Sequence, residues 1–348
     1  MAQVSQDHAF ALRIVREAWD LGAAVSRVEA VAQGHINQTY FVDAGDTRWV
    51  LQRLSPIFSP EVNLDIQAVT AVLASAGMCT PRLIPTRSGK LWTHDDDGHC
   101  WRLQTFIAGE TVEQVDSTER AYQAGRLLGQ FHDALKDLDY VFVQQRLGVH
   151  DTAKHIATLR EALTFHDQHR LIREIRPLAE TLIERTTGLS LPTALPDRIV
   201  HGDPKITNII FSSEGEAVAL VDLDTVARMA LPLELGDALR SWCNSAAEDE
   251  AGYFQIDFFK QAMSGYFSET RSWLAQAELD AVGDSVELIA SELATRFCAD
   301  ALNESYFGWD SSRYGSAAEH NLARARGQLA LAKSIASQRP QISAALAR

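Results

Sequence analysis

The stretch His201-Gly202-Asp203-Pro204-Lys205-Ile206-Thr207-Asn208 places an acid, a cation and an amide at short fixed offsets, H-x-D-x-K-x-x-N. Asp222 and Asp224 follow at the end of the apolar run "AVALVDLD". Phosphoryl transfer to a hydroxyl needs few parts: a carboxylate to take the hydroxyl proton, oxygen ligands for Mg2+, and a cation near the γ-phosphate. Asp203 suits the proton acceptor, and Lys205 the cation. Asn208 and Asp222 offer the hard oxygen atoms that magnesium prefers. A polar turn between strands explains any one of these residues equally well; the combination is what carries the chemistry.

Such a loop must be held by strand ends. Apolar residues on both sides of the motif predict a strand, a tight turn and a second strand. A short return then pairs 207–212 with 217–222, so that Asn208 and Asp222 meet. Upstream, Phe10, Ile14, Val15, Ala18 and Trp19 repeat at helical spacing. "RVEAVAQGHINQTYFVDAGDTRWVLQRL" reads as three strands punctuated by Gly34 and by Gly45-Asp46. A helix is expected after Ser59-Pro60, because proline is favoured in a first helical turn. Further strands are expected near 90–93 and 100–107. "FIAGETVEQVDS" is a linker, and Ser117 the N-cap of a helix with Ala121, Ala124, Leu128, Phe131 and Leu135 along one side. Beyond it the chain reads as mostly helical, with long helices over 255–305 and 316–338. The expected architecture is α+β, with a small β-rich N-terminal lobe over 1–107 and a larger helical lobe over 108–348.

Bulk properties agree with a catalytic globular protein. Of 348 residues, 46% are hydrophobic and 22% charged, enough to build a sizeable core. The net charge of −14 disfavours a nucleic-acid or anionic-membrane binder, which needs clustered Lys and Arg. Cys79, Cys100, Cys243 and Cys298 are scattered without CxxC spacing, so free thiols in a reducing, cytoplasmic setting are expected. No P-loop signature and no G-x-S-x-G elbow is present.

The wording "HGDPKITNIIF", "ALVDLDTV" and "LELGDALR" resembles the aminoglycoside phosphotransferase and choline kinase superfamily, and within it the N-acetylhexosamine 1-kinases. "GHINQTYFV", "WVLQRLSPIFSP", "WRLQTFIAGETVE", "AYQAGRLLGQFH", "TRFCADALNESYF" and "HNLARARGQLAL" extend the resemblance over most of the chain. It implies a two-lobed, protein-kinase-like fold binding ATP and Mg2+ between its lobes, with the anomeric hydroxyl of an N-acetylhexosamine as the expected acceptor. The alternatives are another acceptor on the same scaffold (an aminoglycoside, choline or ethanolamine, homoserine or a different sugar) or a nucleotide-binding pseudokinase. Matched position by position, Asp203 is the catalytic base, and Asn208 and Asp222 are the metal ligands. Asp237 is expected to brace the catalytic loop through hydrogen bonds, and so is His201.

Other assignments rest on position. "GHINQTY" resembles the turn over the ATP phosphates, with Gly34, Asn37 and Thr39 as donors; an ordinary hairpin turn explains it equally. In "VLQR", Leu51 and Arg53 share one strand face, so Arg53 is expected toward the nucleotide, paired with Glu61 or Asp65. Gln104 to Phe106 form the expected hinge, whose backbone would bond adenine. For the acceptor the resemblance points to Arg296 and Tyr306, while Trp242 and Trp309 are either sugar platforms or core. The "HDDDGH" run around Asp95 reads as a solvated hairpin turn. His132-Asp133 reads as a solvated or capping pair on its helix.

Overall fold

Residues 2–31, 37–144 and 149–347 are described by the structure, a computed structural model. Helix α1 (Ala2–Ala18) precedes three strands, β1 (Val25–Ala30), β2 (Gln38–Ala44) and β3 (Thr47–Arg53). After α2 (Val62–Ser75) come β4 (Thr93–His94) and β5 (Cys100–Thr105), giving one antiparallel sheet of order β1-β2-β3-β5-β4. Alternation puts Tyr40, Val42, Leu51, Trp101 and Leu103 on one sheet face. There they close over Ala11, Ile14, Val15 and Trp19 of α1 in a separate small core.

The chain then turns helical: α3 (Thr118–Leu135), α4 (Thr152–Phe165) and α5 (Ile172–Thr187). Ser117 caps α3 as its residue type predicts, its hydroxyl accepting from the Arg120 amide at 3.2 Å. Such a cap contributes about 1 kcal/mol. The short strands β6 (Asp197–Val200), β7 (Ile209–Phe211), β8 (Ala217–Leu220) and β9 (Ala227–Ala230) interrupt the helices, with β6 pairing β9 and β7 pairing β8, both antiparallel. Helices α6 (Leu231–Trp242), α7 (Ile256–Thr270), α8 (Gln276–Asn303), α9 (Ala317–Ser337) and α10 (Arg339–Leu346) complete the chain. Their inward faces join α2 and α3 in the main core, which includes Phe131, Phe211, Trp242, Phe259 and Tyr266.

Two elements differ from the sequence reading. The expected helix over 255–305 breaks at 271–275, where the Glu278 carboxylate folds back to accept from the Ala275 amide at 3.0 Å and starts α8 afresh. Strand β9 was not anticipated; its sequence Ala-Arg-Met-Ala has no alternation, and pairing with β6 decides it. Among the described residues no helix is long and apolar enough to cross a membrane.

The linker after β5 is pinned to the hairpin it serves. Glu110 and Phe211 exchange both backbone hydrogen bonds, at 2.9 and 2.8 Å. Gly109, at φ +146°, lets the chain pass this close; a Cβ there would sit 2.5 Å from the Phe211 carbonyl oxygen.

Candidate active site

The β6–β7 connection carries the motif, and its shape follows from three buried anchors. Glu234 on α6 accepts from the amides of His201 and Gly202, both at 2.8 Å. The fully buried His201 places Nε2 2.9 Å from the Val221 carbonyl and Nδ1 3.4 Å from the Asp203 amide. Donation from Nε2 and acceptance at Nδ1 describe a neutral ring, so His201 is a brace. Trp242 donates from Nε1 to the Pro204 carbonyl at 2.9 Å and is 1% exposed; it is core and supports the loop from beneath. Gly202, at φ +83°, passes so near Thr225 that a Cβ would lie 2.2 Å from its carbonyl oxygen. Glycine is required there.

The anchors gather the motif's polar atoms. Lys205 Nζ lies 2.6 Å from Asp203 Oδ2. Burial pulls the Lys205 ammonium down, but Asp203 outweighs it, followed by Asp222 and Asp237, and its pKa stands above the usual lysine value. Asn208 donates from Nδ2 to the Asp203 carbonyl at 2.9 Å, which orients its amide oxygen away from that contact. The hairpin β7–β8 pairs Ile209 with Leu220, and the Val221 amide reaches the Asn208 carbonyl at 2.9 Å. Asn208 and Asp222 therefore flank the same hairpin mouth. Asp222 adopts the left-handed conformation, φ 63° and ψ 55°, which is uncommon for a residue other than glycine. Burial and then Asp224 push its carboxyl above the usual range, against Lys205 and Arg102. A carboxylate and an amide at one hairpin mouth, with Asp224 two residues on, offer the hard oxygen atoms a divalent cation takes.

The nucleotide-side residues are arranged differently from their sequence reading. Gly34 lies outside the described residues. Asn37 is buried; its Oδ1 accepts from the Ser55 amide at 2.9 Å and its Nδ2 donates to Asp224 Oδ2 at 2.6 Å. Thr39 Oγ1 accepts from Gln52 Nε2 at 3.2 Å. Gln52 rather than Arg53 then reaches across β5, its Oε1 taking two bonds from Arg102 at 2.9 and 2.7 Å. Arg102 grips Asp224 with both terminal nitrogens, the Nη2 contact at 2.9 Å. Arg53 is half-buried, with no carboxylate partner among the described residues. Neither expected partner pairs with it: Glu61 accepts from the Ser59 hydroxyl, and Asp65 accepts from the Tyr140 hydroxyl and the Val143 and Gln144 amides. Gln104 is buried on β5, and Phe106 packs edge-on against Phe41 just beyond it.

At the other end, Arg296 and Tyr306 come together although helix periodicity alone could not align them. The Arg296 guanidinium lies 5.9 Å from the Tyr306 ring centre and 5.6 Å from that of Phe307. Asp300 makes this possible, its carboxylate accepting from the Ser305, Tyr306 and Phe307 amides at 3.0, 3.0 and 2.8 Å and turning the chain back on α8. Tyr306 is 70% exposed and Trp309 41%. Asp237 does not hold the catalytic loop; it accepts from Arg240 at 2.8 Å, and the bracing belongs to Glu234 one turn earlier. Burial raises the Asp237 carboxyl, but Arg240, His150 and Arg296 overcome this and hold it below the usual range. His132 is also not solvated. It is buried, with Nδ1 3.0 Å from the Tyr266 hydroxyl and Nε2 3.4 Å from Glu234, and so backs the same brace. Glu234, Arg102 and Asp300 carried no sequence signal beyond being polar residues in apolar surroundings.

The sequence profile of the phosphotransferase enzyme family matches residues 27–268, more than half of the chain. The chain belongs to this family. It is a phosphotransferase with an alcohol group as acceptor. A homoserine kinase of Caulobacter vibrioides (strain NA1000 / CB15N) is 24% identical over 303 residues, covering 86% of this phosphotransferase and 87% of the relative. Among solved structures, an amicoumacin kinase in complex with AMP-PNP, Ca2+ and Ami superimposes with a TM-score of 0.63 at 14% identity, over 92% of this chain and 93% of that one. A microcompartment-associated aminopropanol kinase gives 0.63 at 16% identity, over 95% and 98%. The phosphotransferase has the α+β, protein-kinase-like fold of these structures, an N-terminal five-stranded sheet followed by a mostly helical region.

Proposed function

We propose that the protein transfers the γ-phosphoryl group of ATP to the hydroxyl of a small acceptor, with Asp203 as catalytic base. The observation that carries this reading is the grouping of Asp203, Lys205 and Asn208 on one braced loop, with Asp222 at the mouth of the same hairpin. Asp203 takes the acceptor's hydroxyl proton as the oxygen attacks phosphorus, and the bond to ADP breaks. Lys205 balances charge on the transferred group. Asn208 and Asp222 would hold Mg2+, which when bound supplies charge neutralisation between the phosphates. The division at 107/108, with nucleotide contacts from Asn37, Thr39, Arg53 and the Gln104–Phe106 backbone, belongs to the same proposal, as does a cytoplasmic location.

For the acceptor, the first choice is an amino alcohol bearing a carboxylate, of the homoserine kind. The relative named for homoserine supports it, and the structural neighbour named for aminopropanol supports its amino-alcohol part. The second choice is the anomeric hydroxyl of an N-acetylhexosamine, favoured by the exposed rings of Tyr306 and Trp309. ADP release should be measured with Mg2+ and a panel of homoserine, aminopropanol, choline, aminoglycosides and N-acetylhexosamines. 31P NMR of the product then locates the phosphate. Asp203→Asn should lower kcat by about 10²–10⁴-fold and leave nucleotide binding intact; unchanged turnover in that variant overturns the assignment.

A further inference from the structure

Arg102 and Asp224 form a buried ion pair between two parts of the chain that the motif reading never linked. Their side chains are 1% and 0% exposed, and 122 positions separate them. Arg102 stands on β5 of the N-terminal sheet; Asp224 lies two residues beyond Asp222, in the turn following β8. The pair is embedded in further bonds: Gln52 fixes the guanidinium from β3, Asn63 Oδ1 lies 3.4 Å from Nη1, and Asn37 donates to Asp224 at 2.6 Å. Desolvating two charges is repaid only when their geometry is good and further hydrogen bonds satisfy their remaining atoms. Here every support comes from the sheet side or α2, while the carboxylate they hold belongs to the turn that presents Asp222.

That turn needs holding. Asp222 sits in a left-handed conformation that a non-glycine residue keeps only when its surroundings impose it. Upstream it is fixed by the Val221 bonds to Asn208 and His201, downstream by Thr225 Oγ1 donating to the His201 carbonyl at 2.7 Å. Asp224, between these points, is gripped by Arg102 of β5.

We propose that Arg102 is a positioning residue for Asp222, acting through Asp224, so that the cation-binding turn takes its shape from the N-terminal sheet. This rests on the kinase reading, in which Asp222 is a metal ligand. It gives the guanidinium on β5, rather than Arg53 on β3, the task of joining the sheet to the catalytic hairpin.

The test is calorimetric binding of AMP-PNP to the intact protein with and without Mg2+, for wild type, Arg102→Lys, Arg102→Met and the double variant Arg102→Met/Asp224→Leu. Removing a group bonded directly to a metal ligand costs about 10- to 100-fold in metal affinity; Arg102 acts one residue further out, through Asp224, so the lower end, about 10-fold, applies. The expected result is a loss of that size in the Mg2+-dependent part of nucleotide binding in Arg102→Met, metal-free binding being preserved and Arg102→Lys recovering part of the loss. The double variant exchanges the ion pair for apolar side chains and keeps the site folded if the single variant does not; it should show the same selective loss. Full retention of the Mg2+ increment in a folded variant overturns the proposal, as does an equal loss with and without Mg2+. Absence of any Mg2+ increment in wild type overturns the kinase reading itself.

Discussion

Glu234 shows how one side chain decides the loop's shape. Its two oxygens satisfy the His201 and Gly202 amides, and His132 and Tyr266 form its buried backing. Removing it as Glu234→Ala strands two buried donors, at about 1–3 kcal/mol each. The loop shift that follows should lower kcat by about 10²-fold, since a displacement near 1 Å suffices for that. Steady-state kinetics beside a melting curve check both, and Glu234→Gln should recover part of the loss by keeping one acceptor. Legibility at this scale tracks sequence distance. The grouping of Asp203, Lys205 and Asn208 was readable because all three fall within one short turn. Glu234 and Arg102 were not, because their partners lie 33 and 122 positions away and no local pattern marks them. Arg53 was misjudged in its partners for a related reason: strand alternation tells which residues share a face, but not which side chain is long enough to find a carboxylate across a cleft.

Among the elements, the junction of α8 with the following turn carries Arg296 and Tyr306, the residues proposed for the acceptor. Asp300, 3% exposed, collects three amides there and also accepts from Asn321 of α9 at 3.0 Å. Asp300→Ala should release Tyr306 and Phe307 from Arg296. The expected outcome is an acceptor KM raised by about 10-fold or more, with AMP-PNP affinity unchanged, because misplaced binding groups cost several-fold per contact. Titrating each substrate separately distinguishes this from a general loss of folding. The sheet, α2 and the capped α3 were readable from periodicity and cap chemistry. The break at 271–275 was not, since it depends on a single carboxylate folding back on its own helix.

For the molecule as a whole, two connections bear on stability. Gly109→Ala forces a Cβ into the Phe211 carbonyl where the linker meets the hairpin. A fall of about 2 kcal/mol in unfolding free energy is expected, as strain and overpacking of this kind cost about that much; urea denaturation measures it. His150 ties the segment before α4 to α8 through Nδ1, 2.9 Å from Glu292. Burial lowers its pKa, but the Glu292 carboxylate prevails with help from Asp237, against Arg296, and the folded value lies above 6.5. A raised histidine pKa means the folded state holds the proton longer. The stabilisation is thus complete below pH 6.5 and fades as pH climbs through the folded value. Thermal melts of wild type should therefore drop between pH 6 and 8 more steeply than those of His150→Gln.

The Asp300 anchor has a bearing on how such a protein changes its chemistry over time. Among the described residues its carboxylate bonds reach the amides of 305–307 and Asn321 of α9, whereas the loop of Asp203 hangs from Glu234, His201 and Trp242. With the two fastenings separate, the side chains at 305 and 306 can be exchanged while the anchor keeps its amides, whereas Phe307 packs on Phe297 against the helical core and must stay. Exchanging Ser305 and Tyr306 alone is accordingly the direct way to ask whether this turn sets the acceptor preference, with the loop of Asp203 left as it is.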